Sequence, residues 1–188
     1  MKNKEIRNVA NKKFLEGKGI QQTFEELQKE ADKPAEDIAK ILRYVPTPKK
    51  REKHKIAHTI LTLTLGLTMT FKIFMGIPPI IFYNQINWLP GFFIIPIINI
   101  ILVYGLVTYQ GQYYRLVIVF AILSLSQIPK RIDFFDPYTL MDLCVIATSL
   151  GLGYYLNLKM NTAYKTVKVK YTNREGNVKV KDEIKFVD

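Results

Sequence analysis

Two histidines four residues apart, His54 and His58, are the first residues whose types and spacing could do chemistry. Side chains four residues apart share one face of a helix, and two imidazoles on one face can bind a metal ion. The sequence offers only a weakly placed carboxylate, Glu52, and no identifiable third ligand. We therefore predict no metal site and interpret the two histidines as polar residues that anchor a helix at an interface.

Lys72 and Asn99 are polar side chains within two long apolar segments of the chain. A charge at membrane depth is costly, so such residues often mark an ion or substrate path. Lys72 lies near the end of its segment, however, where its four-carbon stem can carry the ammonium group into the headgroups. Asn99 can form a hydrogen bond between helices worth about 0.6 to 2 kcal/mol. We favour these structural roles, with a buried functional lysine and a permeation contact at Asn99 as the alternatives.

An acidic group, Asp133, Asp136 and Asp142, lies between and within the last two apolar segments. Clustered carboxylates can bind cations or shuttle protons. Lys130 and Arg131 lie beside them and can neutralise two of the three charges, so we favour local ion pairing. Asp142 alone falls inside a predicted membrane helix, and it is the third candidate polar site there.

The apolar middle of the chain, residues 56–158, has to position these side chains. It holds 4 basic and 3 acidic residues, whereas the two ends hold 23 of the 27 basic residues. A helix of about 20 apolar residues crosses the hydrocarbon core of a bilayer, so this composition disfavours an ordinary soluble domain and a disordered chain. We predict a mainly α membrane protein with a four-helix transmembrane bundle. Its spans are 56–77, 88–109, 113–128 and 138–158; the third is short, and if it were re-entrant the tail would lie outside.

Small residues recur at four-residue spacing in the first and last predicted spans. In lipid, close approach of helix backbones at such positions supplies much of the association between helices. These faces can close a bundle within one chain or join two chains, so they predict packing and a homo-oligomer rather than a particular function. The candidate helix-packing residues are Thr62, Gly66, Thr70, Ala147, Ser149, Gly151 and Gly153.

The distribution of charge predicts the orientation of these spans. Residues 1–55 hold 15 basic and 9 acidic side chains, and residues 159–188 hold 8 and 4. Basic residues concentrate on the cytoplasmic side of membrane helices, so both termini are predicted to be cytoplasmic. No secretory signal is apparent, so the first span is expected to direct insertion itself. The basic run before it should contact anionic lipid headgroups. Its members are Lys49, Lys50, Arg51, Lys53 and Lys55.

The charged N-terminal end, residues 1–45, is predicted to be a small cytoplasmic helical domain. Apolar residues recur at helical spacing in three short stretches, near 4–16, 21–31 and 35–44. Residues 46–55, which contain two prolines and most of the basic run, are predicted to be a stiff linker. Three short helices form a marginal unit alone, so they should pack on each other, on the bundle or on a partner.

The C-terminal end, residues 159–188, is predicted to be a cytoplasmic β-hairpin. Apolar and polar residues alternate with period two on both sides of a Gly-containing turn at 173–177. On the first strand the apolar face would hold Val167, Val169 and Tyr171. A lone hairpin is marginal in water, so it should cover the helical head, the hairpin of a second subunit or an edge strand of a partner.

Sequence signatures of most enzymes are missing from the chain. It contains no P-loop, dinucleotide fingerprint, HExxH or CxxC motif, and its spans show no nucleophile with an identifiable base. The single Cys144 cannot form an intramolecular disulfide and is predicted to be a small apolar packing residue within the last span. We therefore predict a protein that is not an enzyme and has no cofactor or metal.

Three functions remain open from the sequence. The main hypothesis is a sensor, adaptor or accessory subunit of a bacterial inner membrane, with a cytoplasmic docking surface for a protein partner or a second copy. The bacterial source is indicated only by the richness in Lys, Ile, Asn and Tyr. The alternative is an oligomeric channel or transporter that moves a small ion or solute. A membrane-tethered DNA-binding regulator is disfavoured, because Glu36 and Asp37 lie where the third head helix would meet phosphates.

Overall fold

A computed structural model of the chain describes residues 1–82, 89–126, 137–172 and 178–187. The described chain is mainly helical and ends in an antiparallel two-stranded hairpin, which confirms the predicted class at that level. The elements are α1 (Asn3–Leu15), α2 (Ile20–Glu30), α3 (Ala35–Arg43), α4 (Pro48–Lys53), α5 (Lys55–Phe82), α6 (Leu89–Val107), α7 (Gln112–Leu125), α8 (Pro137–Met160), β1 (Ala163–Thr172) and β2 (Val178–Val187). They divide into unit 1, which is Met1–Lys53 with Met160–Asp188, and unit 2, which is His54–Lys159.

Unit 1 starts with three amphipathic helices whose apolar stripes face one another. The apolar positions recur every three or four residues, which places them on one side of each helix. Gly17 lies just beyond α1 with a φ of 85°, a left-handed conformation that glycine adopts without steric cost and that ends the helix. The buried core of these helices consists of Ile6, Ala10, Phe14, Ile20, Phe24, Leu27, Ala31, Ile38, Ala39, Ile41, Leu42 and Val45.

The hairpin packs against these helices, which are the first of the three surfaces considered for it. Ile184 of β2 is 6% exposed and belongs to the same core. The ring of Phe186 meets that of Phe24 edge-on, with 5.5 Å between centroids. The side chain of Gln21 donates to the carbonyl of Ile184 (3.3 Å) and accepts from the N–H of Phe186 (3.1 Å), so it covers part of an edge of β2. Head and tail therefore share one core.

The predicted apolar face of the hairpin is only partly correct. The register pairs Tyr164 with Phe186 and Thr166 with Ile184, so these residues lie on the face that meets the helices. Val167, which was predicted to lie on the apolar face, has the opposite orientation and is 39% exposed. Which side chains of β1 are buried depends on its pairing with β2 and on which face the helices cover. Neither can be read from the alternation within β1 alone. The predicted turn at 173–177 lies outside the described residues.

The segment predicted as a linker, residues 46–55, contains a helix. Pro48 is the first residue of α4, a position where its fixed φ favours a helix and its missing N–H costs nothing. Arg51 in α4 donates to the carbonyl of Pro46 (3.0 Å) and to the side chain of Asn11. Lys50 donates to the buried Thr162 (2.9 Å) just before β1. Residues 46–53 therefore pack on unit 1, and the prediction of a linker was wrong for them.

Four charged side chains connect α1 and the loop after it to α2. Lys13 is almost buried, and its ammonium group lies 2.8 Å from Glu26 and 2.7 Å from Glu30. Lys18 lies 2.8 Å from Glu26. Burial lowers the pKa of Lys13, but the hydrogen bonds that its ammonium group donates to the two carboxylates outweigh burial and raise the pKa above its ordinary value. Hydrogen bonds from Lys13 and Lys18 lower the pKa of Glu26.

These pKa shifts predict a pH range over which unit 1 loses stability. A lowered folded-state pKa stabilises the fold above the ordinary value of 4.5, and this contribution disappears as the pH falls through the folded-state pKa of Glu26. The contribution of Lys13 is complete below 10.5 and disappears as the pH rises through its own raised value. Thermal unfolding of the detergent-solubilised chain between pH 3 and 7 should therefore show an acid loss that Glu26→Gln flattens. Parallel losses in wild type and variant would contradict this assignment.

Unit 2 contains helices at all four predicted spans, with different bounds. α5 continues to Phe82, five residues past the predicted end, although Pro78 and Pro79 lie in this stretch. α6 and α8 agree with the predicted spans to within two residues, and α7 ends three residues early. By length and apolar composition, Thr139–Met160 is the single described segment able to cross a membrane, and Ile97–Val107 and Gln112–Leu125 are shorter. The predicted four-span bundle is not supported by this criterion.

The described surface of unit 2 is unusually apolar. Large apolar side chains on all four helices are exposed, among them Ile56, Leu63, Leu67, Phe74, Ile97, Ile100, Ile101, Val119, Ile122, Leu123, Leu140 and Leu158. Polar residues of the same unit are buried, including His54, His58, Thr68 and Ser149. Monomeric soluble proteins rarely expose apolar patches of this extent. Unit 1 has the opposite arrangement, with a closed apolar core beneath a charged surface.

Candidate functional sites

A groove in unit 1 lies between α2, the start of α3 and the hairpin. Its volume is about 970 Å³. Four apolar residues lie along it: Phe24 and Ile184 belong to the buried core, and Ala35 and Val169 are half-buried. Its other distinctive residues are five carboxylates, Glu25, Glu36, Asp37, Asp182 and Glu183, and no basic residue is among the described residues that line it. The acidic N-terminal turn of α3 therefore lies in an acidic groove, which is a poor surface for nucleic-acid phosphates.

The groove exists because both ends of the chain contribute to it. α2 and α3 supply one side, and β1 and β2 supply the other. The contact of Phe24 with Phe186 and the two hydrogen bonds of Gln21 hold the hairpin against the helices at this point. The groove therefore depends on the docking of the hairpin and would not exist in either segment alone.

A second polar cluster in unit 2 contains both histidines. His58 is 5% exposed; its Nδ1 lies 3.0 Å from the hydroxyl of the fully buried Tyr114, and its ring stacks on Tyr109 with 4.3 Å between centroids. His54 is 8% exposed, and its Nδ1 lies 3.0 Å from the hydroxyl of Tyr155. A phenol hydroxyl can donate to the unprotonated ring nitrogen, which satisfies a buried imidazole. His58 thus connects α5 to α7, and His54, just before α5, connects the start of unit 2 to α8.

This arrangement supports a structural role for the histidines. Each Nδ1 has a tyrosine partner, and among the described residues no group of three His, Cys, Asp or Glu side chains could hold a metal ion. The tyrosines lie 56 and 101 residues from their histidines in the chain, so no local pattern predicts these pairs. The expected role as interface anchors stays a prediction.

Removing the hydroxyl of Tyr114 is expected to destabilise unit 2. The variant Tyr114→Phe leaves a buried imidazole without its partner, which costs about 1–3 kcal/mol. Thermal unfolding of the detergent-solubilised chain measures this loss. Tyr104→Phe is the matched control because Tyr104 is 63% exposed, and it should leave stability almost unchanged. Equal stability of the two variants would show that the hydroxyl of Tyr114 contributes nothing.

Of the three candidate polar sites of the membrane region, the structure describes the side chains of two. Asn99 is half-buried in α6, and Asp142 is half-buried in the second turn of α8. Lys72 lies in α5, and its side chain is outside the described part of the chain. Asp133 and Asp136 also lie outside the described residues, as do Lys130 and Arg131. Their proposed ion pairing stays a prediction.

The candidate packing residues fall into two groups. Gly153 is buried against α7, where an added Cβ would lie 3.2 Å from Ile118. Ser149 is also buried. The other glycines, Gly66 and Gly151, have nothing within 4 Å of an added Cβ. Thr70 and Ala147 are exposed, and Thr62 is half-buried with its hydroxyl bonded to the carbonyl of His58.

Two further predictions on single residues have mixed outcomes. Of the five proposed lipid-contacting residues, Lys50 and Arg51 form hydrogen bonds within unit 1, so they are engaged by the protein itself. Lys49, Lys53 and Lys55 are exposed. Cys144 is exposed on α8, so the prediction that it is buried in the packing of the bundle was wrong.

Sequence reasoning missed the groove and found only part of its lining. Glu36 and Asp37 were noted as acidic residues at a helix start, but their proximity to Asp182 and Glu183 depends on the docked hairpin. No sequence signal connects positions so far apart in one chain.

In comparisons with known proteins, no family model, no curated protein and no solved structure matches this chain.

Proposed function

We propose that this chain is a multi-pass protein of a bacterial inner membrane, and that unit 1 is its cytoplasmic docking module. In this role the protein acts as a sensor, adaptor or accessory subunit and catalyses no reaction. The observation that carries the proposal is the single core formed by α1 to α3 and β2, the two ends of the chain. Such a core gives unit 1 a fold of its own, whereas unit 2 consists of apolar helices.

The shared core supports an even number of membrane crossings. An odd number would leave the N-terminal helices and the hairpin on opposite sides of the bilayer, where they could not pack together. A single crossing by α8 is incompatible with this core for that reason, and so is the three-crossing arrangement with a re-entrant α7. We therefore propose that α5, α6, α7 and α8 all cross, as the four apolar segments predict.

The surface of unit 2 supports a lipid environment. Exposed apolar side chains such as Leu63, Leu67 and Ile100 have no favourable contact in water, whereas lipid tails solvate them without cost. Polar side chains at membrane depth usually face the interior of a bundle, and His58 and Ser149 are buried there. Exposed apolar side chains and buried polar side chains are the opposite of the arrangement in a soluble domain.

Basic residues next to the first and last helices of unit 2 support a cytoplasmic location for unit 1. Lys53 and Lys55 are exposed next to the start of α5, and Lys159 is exposed near the end of α8. Basic residues at both membrane-proximal ends favour the cytoplasmic side, and each contributes about 1 kcal/mol of attraction to an anionic leaflet. We propose that these three lysines contact anionic headgroups, together with Lys49.

Native mass spectrometry of the full chain in nanodiscs, combined with conductance recordings after reconstitution, tests this function. The proposal predicts a monomer or small homo-oligomer that resists alkaline carbonate extraction and does not conduct ions. A closed ring of four or more chains with conductance abolished by Asn99→Leu would contradict it and favour a pore. Release by alkaline carbonate would contradict the membrane assignment itself.

A further inference from the structure

The two faces of the hairpin differ in what covers them. Tyr164, Ile184 and Phe186 lie on the face that packs against the helices of unit 1. The opposite face, which we call the outer face, is left open by the described chain. It begins with three cross-strand pairs, in which only Glu183 is half-buried and the other residues are exposed: Ala163 with Val187, Lys165 with Lys185, and Val167 with Glu183.

The outer face combines lysines with aliphatic side chains. Val167 is 39% exposed and Val187 is 46% exposed, and the Lys165–Lys185 pair lies between them in the register. In the sequence of β2, lysine also occurs at 179 and 181, and the alternate positions 179, 181 and 185 belong to one face of a strand. The solvated face of an antiparallel sheet is normally polar throughout. Exposed valines among lysines therefore give this face a mixed basic and apolar chemistry.

The pairing of Lys165 with Lys185 is unfavourable for the hairpin itself. Like charges directly opposite each other on neighbouring strands repel and destabilise the pairing. The carboxylate of Glu183 lies 3.9 Å from Lys185, but these side chains are 45% and 56% exposed, and ion pairs of this kind contribute little. An anion that binds to the outer face from outside the protein would relieve the repulsion.

The outer face begins close to the last membrane helix along the chain. Two residues separate α8 from β1. The N–H of Thr162 donates to the carbonyl of Arg43 (3.0 Å), and its hydroxyl accepts from Lys50 (2.9 Å), so this junction is fixed in unit 1. Six residues of extended chain span about 20 Å, which is the largest distance possible between Lys159 and Lys165. If α8 crosses the membrane as proposed, the paired lysines stay within reach of the cytoplasmic leaflet.

We propose that the outer face of the hairpin binds anionic lipid headgroups of the cytoplasmic leaflet. The lysines contact the negative groups of the lipids, and the exposed valines enter the interfacial layer between the headgroups. The attraction of a single lysine is weak, but the short connection to α8 gives the hairpin a high effective concentration at the leaflet. A soluble acidic protein or a nucleic acid has no such connection. The inference rests on the proposed function and adds a lipid-binding surface to it.

Quenching of a small fluorophore by a labelled lipid tests the proposal in the full chain. Val167→Cys and Thr166→Cys, each in a Cys144→Ser background, carry bimane at adjacent exposed positions of β1 on opposite faces, and neither removes a lysine. The nanodiscs contain phosphatidylcholine with a nitroxide on its headgroup. We expect stronger quenching of the Val167→Cys label than of the Thr166→Cys label, but only when phosphatidylglycerol is also present. Equal quenching at both positions, or quenching independent of phosphatidylglycerol, would overturn the proposal.

Two lysines of β1 provide a matched pair of variants. Lys165→Gln and Lys168→Gln each remove one positive charge, and the two positions lie on opposite faces of the hairpin. With the label at Val167→Cys, Lys165→Gln should lower the ratio of bound to free hairpin about fivefold, and Lys168→Gln should lower it much less. Equal effects would show that the net charge of unit 1 acts instead of the outer face, and would overturn the proposal.

A gain of binding excludes misfolding as the cause of an effect. Glu183→Gln removes a negative charge from the outer face and should increase quenching of the Val167→Cys label, at a salt concentration that leaves the hairpin partly bound. Asp182→Asn removes the same charge from the opposite face and should have little effect. Unchanged or reduced quenching in Glu183→Gln would overturn the proposal.

Extraction with alkaline carbonate tests the membrane assignment independently. A chain that resists extraction, but whose Val167→Cys label is not quenched in anionic nanodiscs, would overturn this inference and leave the proposed function standing. Shielding of that label by added polyglutamate, with no effect of lipid charge, would assign the outer face to an acidic protein and overturn the lipid assignment.

Discussion

Gly105→Ala is expected to separate α6 from α7 and to destabilise unit 2. A Cβ at this position would overlap the ring of Tyr113, including the ring atom closest to the backbone, so the tyrosine has to move as a whole. Overpacking of this kind costs about 1–3 kcal/mol. Thermal unfolding in detergent, followed by size-exclusion chromatography, measures the loss.

A second substitution and a control make this prediction specific. Gly105→Ala combined with Tyr113→Ala removes the overlap, so the double variant should recover part of the stability lost in the single variant. Gly151→Ala introduces the same methyl group where nothing lies within 4 Å and should leave stability unchanged or slightly raised. Equal stability of Gly105→Ala and Gly151→Ala would mean that α6 and α7 do not approach closely here.

Ile184→Ala is expected to release the hairpin from the helices of unit 1. Ile184 is 6% exposed within the shared core, and truncation of a buried isoleucine to alanine costs about 2–5 kcal/mol. That is a large fraction of the stability of a small domain. Trypsin should then cleave at Lys165 and Lys168 of β1 faster than in the wild-type chain.

The control for this variant lies on the same strand. Val180 of β2 is 56% exposed, so Val180→Ala should change the cleavage rate very little. If Ile184→Ala and Val180→Ala are cleaved equally fast, the hairpin is not held by the core of unit 1, and the groove loses its second side.

Local patterns predicted the elements of unit 1 well. The helices at 4–16, 21–31 and 35–44 were confirmed to within one residue at each end, because each has an apolar stripe of helical period and a Gly or Pro boundary. The hairpin was confirmed because its alternation is regular on both sides of the turn. Its packing on the helices was only one of three expectations, since surface complementarity is absent from a linear pattern.

The errors have identifiable physical causes. α4 was missed because the basic run was attributed to lipid contact, although Pro48 at its start is a favourable first helical residue. α5 passes Pro78 and Pro79, where a break was predicted. The histidine–tyrosine pairs and the acidic groove depend on residues distant in the chain, so only the fold could reveal them.

The sidedness of the two chain ends tests most directly whether unit 1 is a single cytoplasmic module. Single cysteines at the exposed positions Lys4 and Lys168, in a Cys144→Ser background, can be labelled with an impermeant maleimide in spheroplasts and in inverted membrane vesicles. Asn84→Cys, between α5 and α6, reports the opposite side. We expect Lys4→Cys and Lys168→Cys to react only in inverted vesicles and Asn84→Cys only in spheroplasts. Labelling of the two ends from opposite sides would contradict the shared core and the even number of crossings.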